Sequence, residues 1–191
     1  MIKAIILLGN PGRQYEETRH NIGWKVGDNL SFIYQLNWQK KFKGVYAQYL
    51  LNGEKFLFLK PQNFMNLSGE SVQPFMKFFK LTVEEILVVH DDLELDFGII
   101  DLKKGGGLGG HNGLRSIVQQ IGDKNFYRLR IGIGRPVHGD VSSHVLGKFT
   151  PDEKISLSIL LEKAAEAVET CINNGIDSTM KKFSKIKVIN F

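Results

Sequence analysis

The sequence predicts an α/β fold: one domain over residues 1–191, built on a twisted, mixed and mostly parallel β-sheet with helices on both faces. Three observations carry that expectation. Apolar runs at Ile2 to Leu8, broken only by Lys3, and at Ile86 to Val89 suit strands buried on both faces. Helical and strand patterns alternate along the chain. Finally, 191 residues with no internal repeat and no Ser/Pro-rich linker suit one core, because chains divide mostly above about 250 residues.

Each element has its own signal. The first strand runs into Asn10-Pro11-Gly12, a turn. A helix is expected over Ile22 to Leu36, then strands at Val45 to Leu51 and Lys55 to Leu59. Asn52-Gly53 between them accepts positive φ cheaply and marks a hairpin. A second helix is expected over Leu67 to Lys80, and Thr82-Val-Glu-Glu85 reads as a capping box before the Ile86 strand. Strand Ile99 to Lys104, helix His111 to Ile121 and strand Phe126 to Gly134 follow. Thr150 caps a long helix with Pro151 at its first position and Glu153 closing the box. It runs to Asn174, with a short terminal helix after Gly175.

Composition narrows the function classes. The opening apolar stretch is too short for a signal peptide and no run reaches membrane-spanning length, so a soluble, cytoplasmic protein is expected. Cys171 cannot form an internal disulfide alone; it falls in register with Leu160, Ala164 and Val168, which suits core packing. The net charge is +5, and lysines and arginines cluster at 40–43, 103–104, 128–135 and 181–187, so a polyanion is a plausible partner. Without an obvious exposed apolar stripe, a monomer is the default.

Gly105-Gly-Gly-Leu-Gly-Gly-His-Asn-Gly113 has six glycines in nine residues, which implies close backbone approach, expected to a ligand. Gly105, Gly107 and Gly110 match dinucleotide-fingerprint spacing, but the context does not. That motif belongs on the first strand-helix turn with an acidic residue closing the next strand, where this chain offers Arg128 and Arg130.

Polar residues gather where strands should end: Asn10, His20, Asn66, His90-Asp91-Asp92 and His111-Asn112. An imidazole with a carboxylate partner can act as general base for water, the carboxylate fixing the tautomer. Carboxamides can hold peptide groups or donate to an oxyanion without adding charge. No Gly-x-Ser-x-Gly elbow is present, which favours direct attack by water over an acyl-enzyme. A metal at His90-Asp91-Asp92 is disfavoured, because adjacent strand residues point to opposite faces.

The ordered segments Leu8-Gly-Asn-Pro-Gly12, Thr18-Arg-His-Asn-Ile-Gly23, Phe64-Met-Asn-Leu-Ser-Gly69, His90-Asp-Asp-Leu-Glu-Leu95, the glycine run to Leu114, Arg128-Leu-Arg-Ile-Gly-Ile-Gly134 and Val145-Leu-Gly-Lys-Phe149 span almost the whole chain. In these the chain resembles bacterial-type peptidyl-tRNA hydrolases. The resemblance implies cleavage of the ester between a peptide and the terminal ribose of tRNA, with no cofactor and no metal. It implies His20 as general base, Asp91 as the carboxylate that holds it, and Asn10 as a contact separating blocked from free aminoacyl groups. Asn66 and Asn112 would clamp the peptide and the tRNA end, Tyr15 and Phe64 would line the groove, and Lys103 and Arg130 would meet the tRNA backbone.

The chain departs from the family pattern at Leu7, where a glycine is usual, and at Asn63, where threonine is common. The loop from Val137 to Leu146 has no Lys or Arg where the family often places one; His138 and His144 are the nearest candidates, and imidazole is mostly neutral at pH 7. The rival reading from another class is a non-catalytic RNA-binding relative. Intact Asn10, His20 and Asp91 argue against it, as the missing acidic residue argues against a nucleotide-cofactor enzyme.

Overall fold

A computed structural model describes residues 1–189. The strands are β1 (Ala4–Leu7), β2 (Gln39–Lys41), β3 (Gly44–Leu51), β4 (Glu54–Pro61), β5 (Ile86–Asp92), β6 (Ile99–Lys104), β7 (Tyr127–Gly132) and β8 (Ile186–Lys187). They form one sheet in the order β2-β3-β4-β1-β5-β7-β6-β8. The central strands β4, β1, β5 and β7 are parallel, and the outer pairings are antiparallel. The parallel character expected from the sequence is thus confined to the middle of the sheet.

The helices are α1 (Ile22–Asp28), α2 (Gly69–Phe79), α3 (Asn112–Ile121), α4 (Val141–Val145), α5 (Pro151–Asn174) and α6 (Ile176–Phe183). The apolar runs alternate between two cores because successive strand side chains point to opposite faces. Ile5, Leu7, Leu87 and Val89 pack under α1, α5 and α6 with Val26, Leu160 and Phe183. Ala4, Ile6, Leu8 and Val88 pack under α2 and α3 with Val72, Phe75 and Ile117. Both capping boxes are present, at Thr82 and Thr150.

One local expectation needs correction, and three short elements were not foreseen. The helix expected over Ile22 to Leu36 stops at Asp28, and a separate short turn covers Ile33–Gln35. The apolar residues Leu30, Phe32 and Leu36 that extended the pattern are buried, but as loop anchors. The short elements β2, β8 and α4 carried too little periodicity to announce themselves. No helix among the described residues is long and apolar enough to cross a membrane.

The glycine run also occupies an unexpected place. Because β6 runs antiparallel to β7, with Lys104 opposite Tyr127, the run begins at the edge where the parallel strands start. It then reaches the opposite edge, where His111 caps α3. Gly105, Gly106, Gly109 and Gly110 all have positive φ, which other residues adopt at a cost. A dinucleotide-binding turn instead leaves the carboxyl end of a parallel strand directly for its helix, so the fingerprint spacing does not have its structural meaning here.

Candidate active site

The parallel strands direct their carboxyl ends to one edge, where ligands collect in open α/β sheets. There β1 delivers Asn10, β4 leads to Phe64 and Asn66, and β5 carries Asp91 one residue before its end. A cavity of about 490 Å³ opens at this edge, with Asn10, His20, Asn66, Asp91, His111 and Asn112 in its lining. Tyr15 and Phe64 line it too, their rings edge to face at 6.2 Å. Asn66, Asn112 and Phe64 are exposed, while Asn10, His20 and Asp91 are buried.

His20 lies on the turn Arg19–Asn21 that leads into α1. Close packing of α1 seats this turn: a Cβ on Gly23 would lie 2.5 Å from the Leu8 carbonyl oxygen and 2.6 Å from that of Val89. His20 Nδ1 then lies 2.8 Å from Asp91 Oδ1. His111 Nε2 approaches the same oxygen at 2.9 Å. Burial pushes the Asp91 carboxyl up, but the charges and hydrogen bonds of His20 and His111 prevail and hold it well below the usual carboxylate range.

The tautomers follow from these contacts. His111 Nδ1 accepts from the backbone N–H groups of Gly113 at 3.1 Å and Leu114 at 3.3 Å, capping α3. Its proton therefore sits on Nε2 and is donated to Asp91. His20 likewise donates from Nδ1, which leaves the lone pair on Nε2. One imidazole is committed at both nitrogens; the other keeps a basic nitrogen.

The ligating atoms of His20, Asp91 and His111 lie within 4.8 Å of one another, close enough to hold a metal ion. This is a different trio from the adjacent residues considered in the sequence, where Asp92 turns instead to Arg130. The hydrogen bonds do not fit a cation. A metal on His111 Nε2 needs the proton on Nδ1, where it would face two backbone donors and uncap α3.

Asn21, unremarked in the sequence beyond its motif, positions Asn10. Its Oδ1 accepts from the Asn10 N–H at 2.8 Å and its Nδ2 donates to the Asn10 carbonyl at 2.9 Å. Asn10 Oδ1 in turn accepts from the Met65 N–H at 2.7 Å. That joins the β1 turn to the Phe64–Asn66 wall and leaves the Asn10 Nδ2 as its donor without a partner among the described residues. His111 stood in the polar set read from the sequence but had no role there; a histidine directly before Asn-Gly-Leu at a helix start was the available signal.

The basic candidates divide. Arg130 is paired on two sides: Nε lies 2.7 Å from Asp92 Oδ2 and Nη1 2.7 Å from Asp101 Oδ2, with 13% of the side chain exposed. It ties β5, β6 and β7 together, a pairing the sequence did not announce. Lys104 pairs with Glu84 at 2.6 Å, while Lys103 is exposed and has no ion pair among the described residues. Lys103 lies opposite Arg128, whereas Asp91 lies opposite Ile131. That separation is three strand rows, about 10 Å along the strands. His144 Nε2 bonds the Ile133 carbonyl at 3.2 Å, and His138 is exposed outside the cavity lining.

A buried carboxylate orienting an imidazole, at a groove lined with carboxamides, is an arrangement found in hydrolases that activate water. The comparisons agree. The peptidyl-tRNA hydrolase family profile matches residues 4–190. The peptidyl-tRNA hydrolase of Geotalea daltonii is 47% identical over 189 residues, covering 98% of this chain and 99% of that one. That of Listeria monocytogenes is 40% identical, covering 96% and 100%. The crystal structure of the Acinetobacter baumannii peptidyl-tRNA hydrolase superposes with a TM-score of 0.89 at 40% identity, covering 98% and 97%. This chain belongs to the peptidyl-tRNA hydrolase family.

His90 generates a prediction. Its Nδ1–H donates to the Asp91 carbonyl at 2.7 Å, while its buried Nε2 has no partner among the described residues. Burial pushes this imidazole down to about 3, and His111 beside it acts in the same direction. The unfolded chain therefore takes up a proton near the ordinary value of 6.5 that the folded protein refuses. Stability is full above that value and falls as pH drops toward the folded one. Urea unfolding between about pH 6.5 and 4.5 should show His90 contributing a loss of up to about 1.4 kcal/mol per pH unit. His90→Gln should flatten the profile; parallel profiles would show that His90 is protonated in the fold.

Proposed function

We propose that this chain hydrolyses the ester joining a peptide to the terminal ribose of tRNA, with His20 as the base that activates water. The observation that carries the assignment is the His20 to Asp91 contact, which leaves Nε2 basic at a groove lined with amides. Family membership supplies the substrate class. Water on the ester carbonyl carbon gives up a proton to Nε2 as its oxygen attacks, and Asp91 stabilises the imidazolium. The tetrahedral intermediate collapses with the C–O bond to ribose breaking. His20 returns the proton to the ribose oxygen, leaving a free tRNA end and a peptide carboxylic acid that gives its remaining proton to solvent as the carboxylate.

The other side chains bind and sort. Asn10 presents Nδ2 to the acyl end, while Asn66 and Asn112, both exposed in the groove lining on elements that pack together, pair with peptide N–H and C=O groups and with the tRNA end. Tyr15 and Phe64 provide an apolar wall. Lys103, lower on the same side of the sheet, meets a backbone phosphate. The working unit is a monomer, since one chain supplies every one of these groups, and the cytoplasm, where translation makes the substrate, is its compartment. A non-catalytic RNA-binding role would leave the ester intact in the assays below.

His20→Ala should lower turnover of peptidyl-tRNA by roughly two to four orders of magnitude with tRNA affinity retained, because a base acts in the transition state more than in ground-state binding. Equal losses in both would make His20 structural.

With matched tRNAs carrying the same amino acid, the N-acetylated form should be cleaved faster than the free one. A free α-ammonium arrives strongly hydrated, and the groove amides offer it no carboxylate placed to receive it. Equal kcat/KM for the two would show that the amides do not read the peptide bond.

Lys103→Gln should raise KM and reduce the slope of log affinity against log salt by about one counterion, leaving kcat alone. An unchanged slope would return Lys103 to the solvated surface.

A further inference from the structure

We infer that Arg19 is a positioning residue for the reaction, locking the groove wall formed by α4 and Leu146 to the turn that carries His20. The inference rests on His20 being the base. All three side chains of the turn Arg19–Asn21 are buried, and each ties the turn to a different part of the site. His20 reaches Asp91 and Asn21 reaches Asn10, as described. Arg19 reaches the segment 147–153, which follows the groove-lining residues Val141 and Leu146.

The attachment is residue by residue. Thr18 bridges Lys148 in antiparallel fashion, and the Arg19 N–H donates to the Gly147 carbonyl at 3.0 Å. Arg19 Nη1 donates to the Lys148 carbonyl at 2.5 Å, and Nη2 meets Glu153 Oε2 at 2.6 Å. Between them the guanidinium lies 5.3 Å from the centre of the Phe149 ring. Glu153 is itself fixed, because the same oxygen accepts from the Thr150 N–H at 2.6 Å in the α5 capping box. The Arg19 side chain is 8% exposed and that of Glu153 18%.

A guanidinium is a costly way to fill this space. Arg19 Nε is buried without a partner among the described residues, and an apolar side chain would avoid that penalty. A planar fork does what an apolar group cannot: it holds a backbone carbonyl and a carboxylate at fixed angles. Arg19 does not line the groove, so it acts through its neighbours. His20 follows it in the chain, and the 141–146 wall precedes its anchor points. Displacement of reacting groups by about 1 Å can cost about 100-fold in rate, so holding base and wall in one frame bears on both kcat and KM.

The test is hydrolysis of an N-acetyl-aminoacyl-tRNA at about 15 °C, well below unfolding, by wild type, His20→Ala, Arg19→Met, Arg19→Lys, Glu153→Gln and Thr179→Ala. Thr179 is buried in α6 away from the cavity and bonds the Gly175 carbonyl, so its variant lowers stability without touching groove or turn. Arg19→Met should lower kcat/KM by about 10- to 100-fold, with KM raised as well as kcat lowered. Arg19→Lys, which keeps the charge toward Glu153 and loses the fork, should fall between it and wild type. Glu153→Gln keeps an acceptor for Thr150 and should raise KM severalfold. Thr179→Ala should keep wild-type kcat and KM. A folded Arg19→Met with wild-type constants would overturn the inference. So would Thr179→Ala sharing the losses of Arg19→Met, which would make them effects of stability. Should Arg19→Met not fold, an unchanged KM in Glu153→Gln would overturn it. Full activity in His20→Ala would instead overturn the assignment of the base, whatever the Arg19 variants do.

Discussion

A carboxylate that is 1% exposed must be surrounded by donors or lose its charge, and the site grows out of how this chain meets that demand for Asp91. Two imidazoles donate to it, and neither is free in its choice of tautomer. His111 is fixed from behind by the first N–H groups of α3, which take its other nitrogen. Once His111 is a donor and nothing else, His20 is the imidazole left with a basic nitrogen at the groove. The proposal of His20 as the base thus rests on a helix cap some way along the chain. His90 adds to the same centre by holding the Asp91 carbonyl, which fixes the backbone beneath the carboxylate.

The sheet makes this convergence possible. Asn10, Phe64 and Asp91 belong to segments far apart in sequence, and parallel pairing of β4, β1 and β5 brings their ends to one edge. His111 arrives by another route. Its chain starts at the opposite edge after β6 and crosses over through a glycine run whose backbone needs positive φ at four positions. The glycines therefore serve the path of the chain at Gly105 and Gly106, and the groove only at Gly109 and Gly110. Expecting the whole run to meet a ligand assigned one purpose to a segment that has two.

The positive charge of the chain also divides into inner and outer parts. Arg19, Arg128 and Arg130 are turned inward, to Glu153, to the Gly105 carbonyl, and to Asp92 and Asp101. These cations hold segments together and add little to an outer field. Lys103 differs from Arg130 in having no such partner among the described residues, although the family resemblance offered both as contacts for the tRNA backbone. The net charge of +5 counts them alike; only their partners separate a structural cation from one able to meet phosphate.

Much was legible in the residues themselves. Apolar runs marked the buried strands, Asn52-Gly53 the hairpin, and Thr82 and Thr150 the caps, because these signals act over a few neighbouring residues. The ordered motifs named the family, and with it His20, Asp91, Asn10, Asn66 and Asn112 as one set. The chain alone did not reveal where α1 would stop, since Leu30, Phe32 and Leu36 satisfy a helical pattern and a loop anchored in the core equally well. Nor did it show that Arg130 would be neutralised, that Asn21 would hold Asn10, or that His111 would share Asp91. The sequence by itself determined residue type, periodicity and charge, which are local properties. The tertiary structure decided which donor meets which acceptor, because a hydrogen bond is settled by distances of a few ångströms between groups tens of residues apart.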